Sequence, residues 1–487
     1  MEVERQPSPG SSPEASSLGD AIPVSPAAES ALVPAGTSND AAAPVPDSPP
    51  NDALWERPFL LSALTLGVFW AIESTDYEHT QWWTAGLLLT AVLIGAALLR
   101  GVRFAPWLVL AHAVAVGFAD RVVRSPVGGS DVILVTKEAI GVVARGENPY
   151  THYYETTIPP GSPFAYLPGE LLFHAIPNAI FGGIDRVNQW SGIGVVVLLA
   201  ALAPLVGPGR AALATALYGT FGLAAYRAMD GSNDTGLGFL LVLATVLLAW
   251  SERPSRVSRW FFYGSAIIFG WALGYKQFAA LIYPFVLLYL RRRGGAWRGH
   301  GAIAIGLPVV ATLPFLLVSP TALLSATTAG LTWHTNVWGL NLWAGLQPLA
   351  PGLVDAVSPA LNVLTPLALL GIALAFALRP AASLSISLLQ GLALLFAALF
   401  LARWTTSPYY TGAGALLAAA IALTPPDSWT SSVRSTTTAT PPDLHLARHL
   451  VAPSVEQAVL SHSNPDPVSG ISTVEALVLR PKESRER

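Results

Sequence analysis

The chain has 487 residues, of which 52% are hydrophobic and 12% charged, with a formal net charge of −3 and no cysteine. Soluble domains carry about 25% charged residues, so this is the composition of a protein embedded in a bilayer, and so small a net charge offers no basis for nucleic-acid binding. The lack of cysteine removes disulfides, thiolate zinc ligands and thiol nucleophiles together.

Residues 1–55 are rich in Pro, Ala, Ser, Asp and Glu, with almost no aromatic residue before Trp55. Such a segment cannot bury enough apolar surface to offset its ordering entropy, and it reads as a disordered cytoplasmic tail. It lacks the basic start and apolar run of a signal peptide. Residues 56–425 form the membrane domain, and 426–487 are a second polar, disordered cytoplasmic tail with Thr and Pro runs.

Apolar runs long enough to cross a ~30 Å hydrocarbon core occur near 58–74, 82–100, 104–119, 190–206, 210–226, 235–250, 260–275, 277–290, 301–318, 354–378, 383–402 and 409–424. The predicted fold is therefore an all-α polytopic bundle of about 12 transmembrane helices. Lys and Arg collect in cytoplasmic loops, and Arg100 with Arg103, Arg253 with Arg256 and Arg259, and Arg291 to Arg293 with Arg298 mark three of them. Counting from these anchors puts Asp131, Asp230, Lys276, His334 and Arg403 on the extracytoplasmic side. A crossing at 166–181 would invert the Arg253–Arg259 loop, so that stretch reads as a juxtamembrane or re-entrant helix entered at Pro168 and interrupted at Pro177.

The polar segment 130–168 interrupts the apolar pattern, and loops of this kind carry chemistry. Ser130-Asp131 precedes a helix-like run, so Asp131 is a helix cap or a free functional carboxylate. Asp120, beside Arg121 and Arg124, is the competing functional carboxylate, and reads rather as a solvated helix-end charge paired with arginine. Gly146-Glu147-Asn148-Pro149-Tyr150 is a turn, and Tyr166 with Pro168 marks re-entry into apolar sequence. Glu170 and His174 share a helix face and read as a hydrogen-bonded pair facing a cavity, with no further ligands nearby for a metal. Asp230 and Asp234 are acceptor contacts or an Asx turn. Lys276 lies between two apolar helices, where a charge is functional by default unless it snorkels to headgroups. Trp333, Trp338 and Trp343 are sugar-stacking walls or an interfacial aromatic belt.

An Asp some fifteen residues before Gly-x-Asn-Pro-Tyr, followed by Phe164-Ala165-Tyr166-Leu167-Pro168, resembles the first extracytoplasmic loop of GT-C glycosyltransferases, and most of all glycosyltransferase family 87, the polyprenyl-phosphate-mannose-dependent mannosyltransferases. The resemblance spans roughly residues 100–425 and is carried more by hydropathy and loop order than by individual residues. It implies a GT-C bundle and an inverting transfer of a sugar, mannose by default, from a polyprenyl-phosphate donor to a glycolipid or cell-envelope glycan at the outer face of a bacterial plasma membrane. Asp131 occupies the position of the catalytic base. Lys276 matches a family lysine between helices, His334 resembles a histidine near the donor phosphate, and Arg403 precedes a Ser-Pro entry into the closing helix; these three would hold the phosphate. Tyr150, Tyr166, Glu170, His174, Asp234, Trp333 and Trp338 would line the sugar and acceptor. No metal or other cofactor is implied, because lysine and arginine suffice for a monophosphate leaving group. Where the family shows Trp and His after Ser-Pro, this chain has Tyr409 and Tyr410. Arabinofuranose is the alternative donor sugar. A lipid-linked sugar flippase or a silent lipid-binding scaffold is the alternative of another class, but a transporter would place its ionisable residues near the bilayer midplane, whereas here they gather at helix ends.

Overall fold

A computed structural model describes residues 52–73, 81–122, 130–157, 160–294, 296–332, 337–379 and 381–425. Of the expected tails, 1–55 and 426–487, residues 1–51 and 426–487 lie outside the described residues, as do Trp333 and His334, whereas 52–55 are not tail but the start of a helix. In chain order the helices are α1 (Asp52–Glu73), α2 (Gln81–Leu99), α3 (Ala105–Val122), α4 (Asp131–Ala144), α5 (Pro168–Phe181), α6 (Val187–Ala200), α7 (Ala203–Val206), α8 (Pro208–Gly219), α9 (Gly222–Met229) and α10 (Asp234–Ser251). They continue as α11 (Ser258–Tyr275), α12 (Ala279–Arg292), α13 (Trp297–Val318), α14 (Pro320–Thr332), α15 (Leu342–Leu346), α16 (Pro351–Val357), α17 (Leu361–Ala377), α18 (Leu384–Leu401) and α19 (Tyr409–Leu423). Two-residue strands β1 (Trp338–Gly339) and β2 (Trp404–Thr405) pair in parallel, Trp338 opposite Trp404.

Helices fall on every predicted apolar run, but among the described residues 7 segments are long and apolar enough to cross a membrane. The shortfall from twelve has local causes. Helix α12 has 14 residues and carries Pro284, which at 1.5 Å per residue rises only ~21 Å against a ~30 Å core. The run at 210–226 is divided between α8 and α9, and α19 has 15 residues. Helices α13 and α17 expose Val310, Leu317, Leu367 and Leu374, apolar faces of the kind that lipid or another apolar surface covers. By contrast α10 is largely enclosed and forms the centre of the bundle, packed on α6, α11 and α19.

Helix α5 is the predicted non-crossing segment. Leu167 is extended, Pro168 opens the helix, and Gly182 closes it at φ 73°, the left-handed geometry that glycine adopts without strain. Its 14 residues give a rise of ~21 Å, too short to cross. One face buries Glu170, Leu171 and His174, while Leu172, Ile176, Ile180 and Phe181 are exposed.

Small residues bring the site-bearing helices together, as expected where packing rather than hydrophobic expulsion drives helix association. A Cβ on Gly169 of α5 would sit 2.5 Å from the Gly274 carbonyl of α11, and one on Gly238 of α10 would sit 3.0 Å from the Gly412 Cα of α19. Trp271 Nε1 donates to the Gly169 carbonyl at 2.9 Å, closing the first contact. Gly169→Ala is therefore expected to lower the apparent melting temperature in detergent, at an overpacking cost of about 1–3 kcal/mol. Gly306→Ala, with no atom within 4 Å of the added methyl, is the control and should melt as wild type. Equal melting of both variants would show that the α5–α11 contact is not tight.

Candidate functional site

Four chain breaks meet at the helix ends opposite the arginine-rich turns: the start of α4, the α9–α10 turn, the α11–α12 junction and the entry to α19. Helix α11 stops at Tyr275 because Lys276 takes extended backbone, φ −152° and ψ 140°. Its Nζ then donates to Asp234 Oδ1 at 2.7 Å and to Asn233 Oδ1 at 3.0 Å. The rings of Tyr409, Phe278 and Tyr166 surround the ammonium with centroids at 4.8, 5.4 and 5.6 Å, within cation–π range. Lys276 is only 5% exposed and Asp234 2%, so the lysine does not snorkel to headgroups. Asp234, expected as an acceptor contact, is instead its counter-ion, because a buried ammonium must be paired.

The α9–α10 turn is held by Asp230. Its Oδ1 accepts from the Ser232 N–H and Oγ at 2.8 and 2.6 Å, the Asx geometry foreseen for this segment. Its Oδ2 meets Arg227 Nη1 at 2.6 Å, while Arg227 Nη2 donates to Ser407 Oγ at 2.6 Å. The Asp230 carbonyl accepts from the Ser130 N–H at 3.1 Å. One chain of bonds thus links the start of α4, the α9–α10 turn and the loop entering α19.

That link positions Asp131. Ser130, not Asp131, is the N-cap: its Oγ accepts from the Val132 N–H, and Asp131 is the first helical residue. Among the described residues the Asp131 carboxylate, half-buried, makes no hydrogen bond or ion pair. Through the Ser130–Asp230 bond the start of α4 lies against the turn that leads into Asp234, so Asp131 borders the cluster of Asp234, Lys276, Tyr166 and Tyr409.

Glu170 and His174 do pair, His174 Nδ1 lying 3.3 Å from Glu170 Oε1, which also accepts from Thr136 Oγ1 at 2.9 Å. Both are fully buried, so the expected exposure to a cavity is corrected: they fasten α5 to α4 from behind the site. Burial raises the Glu170 carboxyl above the usual carboxylate range, opposed by His174 and by the Thr136 hydrogen bond. Tyr150 is likewise structural, donating to the Tyr166 carbonyl at 2.9 Å.

Arg403 donates to the Ser358 carbonyl, and no contact with the Lys276 cluster is formed by that hydrogen bond. Trp338 is half-exposed and stacks on Trp404 at 4.5 Å, while Trp343 Nε1 donates to the Leu401 carbonyl at 2.9 Å. Asp120 and Arg121 are both buried, correcting the solvated reading. Arg121 donates to the Gly117, Gly219 and Tyr218 carbonyls, at 2.9, 3.2 and 3.1 Å, and so fastens α3 to α8. Arg227 is the functional candidate that the sequence reading missed. Its signal was a basic residue at the end of an apolar run on the side away from the arginine-rich loops, against the usual charge bias.

No protein-family model matches the sequence, and no curated protein matches it. Among solved structures the chain is similar to ArnT from Cupriavidus metallidurans bound to undecaprenyl phosphate, with 18% identity and a TM-score of 0.42 over 68% of this chain and 62% of that one. The apo form of ArnT gives 16% and 0.41 over 67% and 61%. The Archaeoglobus fulgidus oligosaccharyltransferase, in complex with zinc and sulfate, gives 16% and 0.37 over 68% and 49%. The chain thus spans about three-fifths of ArnT and half of the oligosaccharyltransferase. Likeness at this level assigns neither family nor reaction, and function has to be argued from the site.

Removing one partner of a buried ion pair strands the other charge at a cost of about 3–5 kcal/mol. Asp234→Ala should accordingly destabilise the protein strongly, and adding Lys276→Met should restore most of the loss. Thermal unfolding of the two single variants and the double variant measures this. Additive losses would show that the two side chains do not depend on each other.

Proposed function

We propose that the chain is a membrane glycosyltransferase that moves a sugar from a polyprenyl-phosphate donor to a hydroxyl of a glycolipid or envelope glycan at the extracytoplasmic face, with mannose as the donor sugar. One observation carries the reading. Lys276 is paired with Asp234, Arg227 with Asp230, and Glu170 with His174, while Asp131, bordering the Lys276 cluster, has a carboxylate engaged by none of them. A carboxylate that makes no hydrogen bond or ion pair among the described residues is free to take a proton from a hydroxyl.

In this scheme the acceptor hydroxyl gives its proton to Asp131 as its oxygen forms the new bond to the anomeric carbon. The bond from that carbon to the phosphate oxygen breaks on the opposite face, inverting the centre, and the electron pair leaves with the polyprenyl phosphate. The charge gathering on that phosphate is met by Lys276 and Arg227, cations fixed before the reaction begins, with Arg403 and His334 as further phosphate ligands from the sequence reading. Arg227 is the more open of the two, its side chain 29% exposed against 6% for Lys276. Tyr166, Tyr409, Trp333 and Trp338 supply faces for sugar rings. Helix length favours this reading over a transporter. Read as a crossing, the 18 residues of α11 from its arginine-flanked start to Tyr275 rise ~27 Å, and Lys276 would stand toward the far end of a ~30 Å core rather than at its midplane.

Asp131→Asn keeps the shape of the base without its proton affinity, and should abolish transfer of labelled mannose from polyprenyl-phosphate mannose while inserting normally. Full activity in that variant would falsify the assignment of the base. Arg227→Met made together with Asp230→Asn, and Lys276→Met made together with Asp234→Asn, so that no charge is stranded, should each slow turnover by about two to three orders of magnitude, the ~2–4 kcal/mol typical of one electrostatic stabiliser. Turnover above half of wild type in both would move the phosphate elsewhere. The chain has no cysteine, so Thr406→Cys and Arg292→Cys report sidedness directly: an impermeant thiol reagent on intact cells should label the first and not the second.

A further inference from the structure

Beside the proposed catalytic cluster, the loop following α4, together with α14, lines an open cavity of about 270 Å³. Its walls include Thr151, His152, Tyr153, Gly161 and, from α14, Ser325 and Ala326. Two side chains there are held in place without being covered. Tyr153 is 63% exposed, yet its ring lies against Gly161, where any Cβ would sit 2.5 Å from the ring edge. Gly161 has φ 85° and donates to the Tyr154 carbonyl at 2.8 Å, so glycine is required both for its backbone and for the ring beside it. His152 Nε2 is bound to Glu138 Oε1 at 2.9 Å, and Glu138 Oε2 accepts from Thr156 Oγ1 at 3.0 Å. With Nε2 committed to that carboxylate, Nδ1 is the imidazole's remaining polar atom for a ligand. Edge contact with Tyr154, centroids 4.9 Å apart, fixes the same ring from its side.

We infer that this cavity is a subsite for a neutral saccharide unit of the acceptor, with Tyr153 as the stacking face and His152, Thr151 and Ser325 as hydrogen-bonding groups. No lining side chain carries an unpaired charge, which argues against a phosphate or an anionic headgroup. The mixture of one exposed aromatic face and several neutral polar groups matches a polyol with an apolar ring face. The volume sits just below the about 300–1,000 Å³ of drug-sized pockets, which suits a single sugar unit.

Placement relative to the catalytic cluster supports the same occupant, and here the inference rests on the glycosyltransferase reading. Glu138 follows Asp131 by seven residues on α4, so the two share a face about 10 Å apart along the axis. Tyr150 lines the cavity and donates to the Tyr166 carbonyl, while the Tyr166 ring faces Lys276. The cavity and the catalytic site therefore share a wall. A glycan whose terminal hydroxyl reaches Asp131 would place a unit further back in its chain against Tyr153.

The test is saccharide binding to the full-length protein in detergent, read by saturation-transfer NMR without any donor present. The probes are di- and tetrasaccharides of α-linked mannose, of glucose and of arabinofuranose. At least one should bind, and Tyr153→Ala should weaken it about tenfold by removing the stacking face. Ser325→Phe, which fills the cavity from the α14 side and leaves the loop untouched, should weaken it equally. Absence of binding by every probe, or wild-type affinity in both variants, overturns the subsite. Because the readout needs no transfer, it is distinguishable from failure of the glycosyltransferase reading: an active Asp131→Asn variant would sink the proposed base and leave the binding result intact.

Discussion

A lysine ammonium removed from water within an apolar bundle must be balanced by charge, hydrogen bonds and rings, and at Lys276 this requirement organises the neighbouring backbone. Asp234 and Asn233 supply the balancing oxygens at 2.7 and 3.0 Å, which requires α10 to begin at the point where α11 ends. Tyr409 supplies the nearest ring, which brings the entry of α19 to the same place. Tyr275 adds a strut by donating to the Asn233 carbonyl at 2.9 Å. A single desolvated cation thereby gathers three chain breaks, and unravelling any of them would leave a charge uncompensated in a medium where that costs several kcal/mol.

Around that centre the polar groups fall into two kinds. Some are spent on structure: Asp230 on its turn and Arg227, Glu170 on His174 and Thr136, Arg121 on three carbonyls of α3 and α8. Asp131 is not, because Ser130 has taken over the cap and the Asp230 carbonyl has taken the Ser130 N–H. The adjacent serine thus releases the aspartate from the duty its position would otherwise impose. At the opposite helix ends, Glu252 bridges to Arg293 at 2.7 Å and accepts from Tyr289, tying two arginine-rich turns together. The ends with clustered arginine and the ends that carry Lys276, Asp234 and Asp131 are therefore distinct.

Much of this was legible from residue type and spacing. The apolar runs marked the helices, the charged arginines marked one set of ends, and a lysine between two such runs marked the junction of α11 and α12. The Pro168 entry and the burden of inverting the Arg253–Arg259 loop foretold that α5 would not cross. Pairing across the fold was not legible. Nothing in the spacing of Glu170 and His174 distinguishes a cavity-facing pair from one sealed against Thr136, since both need only the i, i+4 register. Asp120 and Arg121 read as solvated because helix ends usually are, yet the close approach of α3 to α8 at Gly117 and Gly219 encloses them.

What the sequence by itself determined is the class of molecule and the ends of its helices, because the cost of burying charge and backbone in hydrocarbon is local and is written residue by residue. What only the tertiary structure decided is who partners whom: that Asp234 neutralises Lys276, that Arg227 reaches Ser407 across 180 positions, and that among the described residues Asp131 is left without a partner. Those outcomes depend on distances between segments far apart in the chain. Such distances follow from the packing of whole helices against one another, through small residues such as Gly169 with Gly274 and Gly238 with Gly412, and no single segment contains them.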